Sequence, residues 1–139
     1  MSYLLDTNVV SEVSKGVPNP KVMAWLDAQP GHLLHITSFT VGEVEQGIDK
    51  LPDGAKRRRL MAWWQESVDV TFAGRILPFA AEEARMWARL VSDLNKAGTT
   101  IPIVDTMIAA VCRVHGLVMV TRNVSDMGRC GVKLLNPWA

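Results

Sequence analysis

Asp105-Thr106-Met107-Ile108-Ala109-Ala110-Val111-Cys112-Arg113-Val114-His115-Gly116-Leu117-Val118-Met119-Val120-Thr121-Arg122-Asn123 is the stretch on which the fold turns. An acid opens a strongly apolar helical run that stops at His115-Gly116. Leu117 to Val120 follows as an unbroken apolar strand, and Thr121-Arg122-Asn123 turns outward into polar sequence. A strand with no polar alternation is buried on both faces, which is the habit of parallel sheets covered by helices. The same grammar repeats along the chain. Tyr3-Leu4-Leu5 ends at Asp6-Thr7-Asn8, and a helix is expected over 9–15 before Gly16 and Pro18. Asn19-Pro20 reads as a cap with proline at the first helical position. Leu33 to Ile36 reads as a buried strand, and Thr37 to Thr40 leads into a helix carrying Val44 and Ile48. Leu60, Trp64 and Val68 stripe a long helix, and Arg75 to Leu77 a short strand. Ala84, Ala88, Val91 and Leu94 stripe another helix, and Val132 to Leu135 closes the series as a strand. Strands alternating with helices define an α/β domain with a parallel sheet.

The chain of 139 residues is the length of one domain, and residues 1–139 are read as such. At this size about 70% of the unfolded surface can be buried, enough for a core without disulfides. Hydrophobic residues at 48% and charged residues at 21% exclude a disordered or collagen-like chain. Fifteen basic against 14 acidic residues leave +1, so no global field advertises a polyanionic partner. No apolar run approaches the roughly 18 residues of a membrane helix, and Met1 to Asp6 does not read as a signal peptide. Cys112 and Cys130 lack metal-ligand spacing, and Cys112 reads as a small core residue. A cytoplasmic protein is expected.

In open parallel sheets, sites form outside the carboxyl ends of the strands. Asp6 follows the first strand and Glu43 lies one helical turn beyond the second. Asp105 opens the apolar helix, and Asn123 and Asp126 follow the strongest strand. Converging carboxylates repel one another, and a hard divalent cation such as Mg²⁺ relieves the conflict. His32, His35 and His115 are scattered and do not suit zinc, and no nucleophile elbow or glycine-rich phosphate loop is present. Each acid also has an ordinary explanation. Asp6 caps a helix, Thr40-Val41-Gly42-Glu43 fits a capping box, Asp105 favours a helix dipole, and Asp126 suits a turn. Asp105 fits its explanation least well, because Ile103-Val104 and Met107-Ile108 surround it and an unpaired charge there is costly.

Taken in order, Leu4-Leu5-Asp6-Thr7-Asn8-Val9-Val10, Thr37 to Val44 with Gly47, Asp105 to Ala110 and Val118 to Asn123 resemble PIN-domain ribonucleases. The resemblance is to VapC- or FitB-type toxins of toxin–antitoxin pairs, and Leu135-Asn136-Pro137-Trp138 resembles the FitB branch. It implies a three-layer α/β/α domain with a central parallel sheet, and a metal-dependent endoribonuclease. It also implies an RNA substrate, a cognate antitoxin and a homodimer. The metal ligands would fall on Asp6, Glu43 and Asp105, with Mg²⁺ or Mn²⁺ bound. The family's usual fourth acid is replaced by Asn123, so Asn123 or Asp126 completes the set and one- and two-metal schemes stay open. Thr121 would orient a carboxylate. The departure at Asn123 supports a rival reading, a catalytically weak or inactive RNA-binding or scaffold module of this fold. A phospho-aspartate phosphatase acting through Asp6 is a second rival, weakened by Asn8 where that chemistry wants an acid.

Lys56-Arg57-Arg58-Arg59 is the one dense charge run. Four successive helical residues wrap around the axis and form no single basic face, yet cations at a helix start are poorly placed for the dipole, which invites a phosphate or acidic partner. Among five tryptophans, Trp64 reads as core and Trp63 as partly exposed. By the same resemblance, the helices near Trp25 and Trp63 would form a groove for an apolar antitoxin segment.

Overall fold

The computed structural model describes residues 1–139. Five strands, β1 (Tyr3–Leu5), β2 (Leu34–Thr37), β3 (Ile76–Leu77), β4 (Val118–Val120) and β5 (Lys133–Leu135), form one sheet in the order β3-β2-β1-β4-β5. Every pairing is parallel, with Leu4 opposite His35 on one side and Met119 on the other. Seven helices flank the sheet: α1 (Thr7–Val13), α2 (Pro20–Ala28), α3 (Ser38–Asp49), α4 (Ala55–Glu66), α5 (Ala81–Lys96), α6 (Ile103–His115) and α7 (Val124–Gly128). The expected α/β/α arrangement is the one observed.

The pleat explains the two cores. Successive strand residues face opposite sides. Leu4 and Met119 therefore join Leu90, Leu94, Ile108 and Cys112 beneath α5 and α6. Leu5 and Val120 join Val9, Val44, Ile48 and Trp64 beneath α1 to α4. Each fully buried leucine, isoleucine or methionine contributes roughly 1.5–3 kcal/mol relative to exposure. Trp64 is 1% exposed and donates its indole N–H to the Val41 carbonyl, as a buried indole requires. Trp63 is half-buried. Both cysteines are buried and free, and burial pushes the Cys112 thiol up to about 12, so it is inert packing.

Local signals account for most boundaries. Asn19 caps α2, with Pro20 in its first turn. Gly116 ends α6 at φ 62°, a left-handed conformation that favours glycine. Three expectations need correction. Helix α1 begins at Thr7 rather than Val9, because Asp6 accepts the Thr7 amide and caps it there. Thr37, not Thr40, caps α3, its hydroxyl accepting the Thr40 amide at 3.2 Å, so the Thr40–Glu43 capping box does not form. Asp126 lies in the first turn of α7, a short helix over a stretch read as a turn.

Candidate metal centre

The strand order places β1 at the centre. From it the chain steps outward through β2 and β3, then returns to β4 and β5 on the opposite side. The crevice beyond the carboxyl ends of β1 and β4 is the reversal point where open α/β sheets bind ligands. Asp6 immediately follows β1 there, and Thr121 immediately follows β4.

Asp6 is 4% exposed, and its two oxygens are divided between tasks. Oδ1 accepts the Thr7 amide at 2.8 Å and caps α1. Oδ2 accepts the Thr121 hydroxyl at 2.8 Å and the Asn8 amide at 3.4 Å. Burial raises the Asp6 pKa and the nearby Glu43 charge adds to this, while the bonds from Thr121 and Thr7 oppose it. Asn8 also donates to the Thr121 hydroxyl at 3.2 Å and accepts the Arg122 amide at 3.3 Å, tying the start of α1 to the end of β4.

Glu43 lies on α3, exposed, and its carboxylate accepts the Thr7 hydroxyl at 2.6 Å. Thr7 Oγ1 lies 2.9 Å from Thr40 Oγ1 as well. The ordinary explanation for Glu43, folding back on its own helix, is thereby replaced by a bond across the site. Asp105 sits half-buried in the first turn of α6. Its side chain takes one long bond, from Asn123 Nδ2 at 3.4 Å. Its carboxyl is pushed up to about 6, first by burial, then by the charges of Asp6, Glu43 and Asp126. Asn123 is anchored in turn by its own amide, which donates to the Thr121 hydroxyl at 2.9 Å.

All five sequence-derived residues therefore converge on one edge of the sheet. Asp105 feels the charges of Asp6, Glu43 and Asp126, Asp6 feels that of Glu43, and none of the four is in an ion pair with Lys, Arg or His. As the side chains stand, no three of them close around a common point tightly enough to enclose a metal. An all-oxygen set without histidine or cysteine suits a hard cation rather than zinc. Thr7 and Asn8 were legible only as part of the Asp6-Thr7-Asn8 pattern. Their partners, Glu43 and Thr121, lie far away in sequence, and no local signal names them. On the far side of α1, Val10, Val13, Leu26, Leu34, Trp63 and Phe72 help line an apolar groove of about 200 Å³. Trp25 does not line it, because its ring packs edge-on against Tyr3 at 5.0 Å.

Comparison with known proteins agrees with this architecture. The PIN domain profile matches residues 3–125, and the chain belongs to the PIN-domain family. The VapC ribonuclease Y4jK of Sinorhizobium fredii is 36% identical over 135 residues, which cover 97% of this chain and 96% of that protein. Toxin FitB of Neisseria gonorrhoeae is also 36% identical, with 97% of each chain covered. The crystal structure of FitAcB from the same organism superposes with a TM-score of 0.93 over 98% of each chain.

Proposed function

We propose that this protein is a divalent-metal-dependent endoribonuclease and the toxin of a toxin–antitoxin pair. The observation that carries the reading is the convergence of Asp6, Glu43, Asp105 and Asp126 beyond β1 and β4 with no basic side chain paired to them. Relatives named as a ribonuclease and as a toxin support it. Asp6, Glu43 and Asp105 would hold Mg²⁺ or Mn²⁺, with Asn123 and Asp126 beside them. A bound divalent cation supplies Lewis acidity toward a phosphodiester and makes a water nucleophilic near neutral pH.

The chain's own groups do the positioning. Thr121 and Asn8 fix Asp6, and Thr7 fixes Glu43. Asn123 stands against Asp105 as a neutral donor where a fourth acid would add repulsion. The apolar groove bordered by Trp63 and Leu26 would receive an apolar segment of the antitoxin, and the protein would act as a homodimer in the cytoplasm, where its RNA substrate lies. The test is incubation of antitoxin-free protein with end-labelled total RNA in Mg²⁺, Mn²⁺ or EDTA, beside Asp105→Asn. Metal-dependent cuts absent from the variant are expected. Equal cutting by the variant, or none by folded wild type in either metal, overturns the reading.

A further inference from the structure

A cleft of about 730 Å³ lies between α1, α3 and α4. Glu43 forms part of its wall and is the one member of the carboxylate cluster that does. Its floor is aliphatic, including Val44, Ile48 and Leu60, and its rim carries Lys15, Lys56 and Arg59. The charge run of α4 is thereby split in two. Arg57 pairs with Asp49 and Arg58 with Asp53, whereas Lys56 and Arg59 pair with no carboxylate. Lys56 and Arg59 are three residues apart, hence neighbours on one helix face. Lys15 bonds Glu12, whose other oxygen takes the Asn19 amide. The sequence expectation that four successive cations form no single face holds for the run but not for this pair.

We infer that this cleft is a backbone-binding subsite for single-stranded RNA, in which Lys56 and Arg59 hold phosphates adjacent to the one cleaved. The inference rests on the ribonuclease reading of the neighbouring carboxylates. In a chain of net charge +1, two unpaired cations share this cleft with Glu43, and the charge changes sign along it. The strand's phosphates are drawn to the rim, and Glu43 joins the cleft to the carboxylate cluster. The lining holds no aromatic ring, so bases are not stacked here and the subsite positions the strand without selecting its sequence. Aliphatic side chains on the floor suit the apolar faces of the sugars.

The experiment measures KM, kcat and the salt dependence of binding with a labelled single-stranded RNA oligonucleotide of mixed sequence. Wild type is compared with Lys56→Gln/Arg59→Gln and with Arg58→Gln, which removes one charge from the same helix outside the cleft. Each lost phosphate contact lowers the slope of log affinity against log salt by about 0.7, so the double variant loses about 1.4 and its KM rises about tenfold. Arg58→Gln keeps the wild-type slope. A third variant, Gly47→Leu, fills the cleft from α3, where an added Cβ meets nothing within 4 Å. It raises KM without lowering Tm. Cleavage by wild type with unchanged KM and slope in the double variant overturns the subsite and leaves the ribonuclease reading standing. So does selective loss of binding to a co-purified acidic antitoxin segment with RNA binding intact. Absence of cleavage by wild type overturns the ribonuclease reading itself.

Discussion

The corner after β1 and the corner at the start of α6 each present an aspartate to the same crevice, and the protein surrounds the two with very different sets of donors. Asp6 is nearly inaccessible, yet both its oxygens are occupied by donors from Thr7, Asn8 and Thr121. Asp105 is more exposed but takes only the long bond from Asn123, and its carboxyl is pushed up to about 6. Burial raises both carboxyls; at Asp6 the bonds from Thr121 and Thr7 oppose it, whereas at Asp105 the charges of Asp6, Glu43 and Asp126 add to it. One corner is preorganised, and the other stores repulsion that a cation would relieve.

The sharpest way to break the comparison is Asp105→Asn, which has opposite effects on activity and stability. RNA cleavage falls by about a thousandfold, the scale of losing several kcal/mol of transition-state charge stabilisation. In EDTA the same variant melts about 3 °C higher, because like-charge repulsion is removed. A variant that both loses activity and melts lower would show that Asp105 is structural. At the other corner, Thr121→Val strips the hydroxyl from Asp6 and from the Asn123 amide. Leaving buried groups unpaired costs about 1–3 kcal/mol, so urea denaturation shifts to lower midpoint and activity falls with it. Thr7→Val is milder. It frees the exposed Glu43, and a loss of about 10–100-fold in metal affinity or activity is expected, with little change in Tm. Isothermal titration with Mn²⁺ reads this directly.

The smallest effect is in pH. The folded carboxyl of Asp105 binds protons more tightly than the ordinary value of 3.8, up to about 6. The native state therefore holds more protons than the unfolded chain between those values, and metal-free stability falls as pH rises from 3.8 through 6. Urea midpoints at pH 4.5 and 7 in EDTA should show this decline in wild type relative to Asp105→Asn. Saturating Mg²⁺ should reverse it, because the cation favours the ionised acids.

Much of this was legible in the sequence, for identifiable reasons. Apolar strands and the apolar helix after Asp105 announced a sheet covered on both faces, and that sheet put Asp6, Glu43, Asp105, Asn123 and Asp126 on one edge. Hydrogen bonds between remote side chains were not legible. The Thr40–Glu43 spacing satisfies a capping box on paper, but Thr37 sits one turn earlier and takes the cap, leaving Glu43 to Thr7. Helix α7 is only five residues long and follows Thr121-Arg122-Asn123, with Ser125, Asp126 and Gly128 giving it turn composition, while Met127 is fully buried and packs the helix onto the core. The division of the α4 cations into paired and unpaired depended on Asp49 and Asp53, which flank a turn whose geometry decides their reach.

The pairing of β1 with β4 has a consequence in time. Asp6 and Thr121 are separated by 115 positions, and their bond is among the most distant in the chain. Long-range pairings form late, because the intervening loop must first be closed. A chain emerging from the ribosome exposes Asp6 and Glu43 well before β4, the strand that completes their setting. The edge where they meet is assembled only after β4 has been made, so a product interrupted before it carries Asp6 and Glu43 without the arrangement that would make them work together.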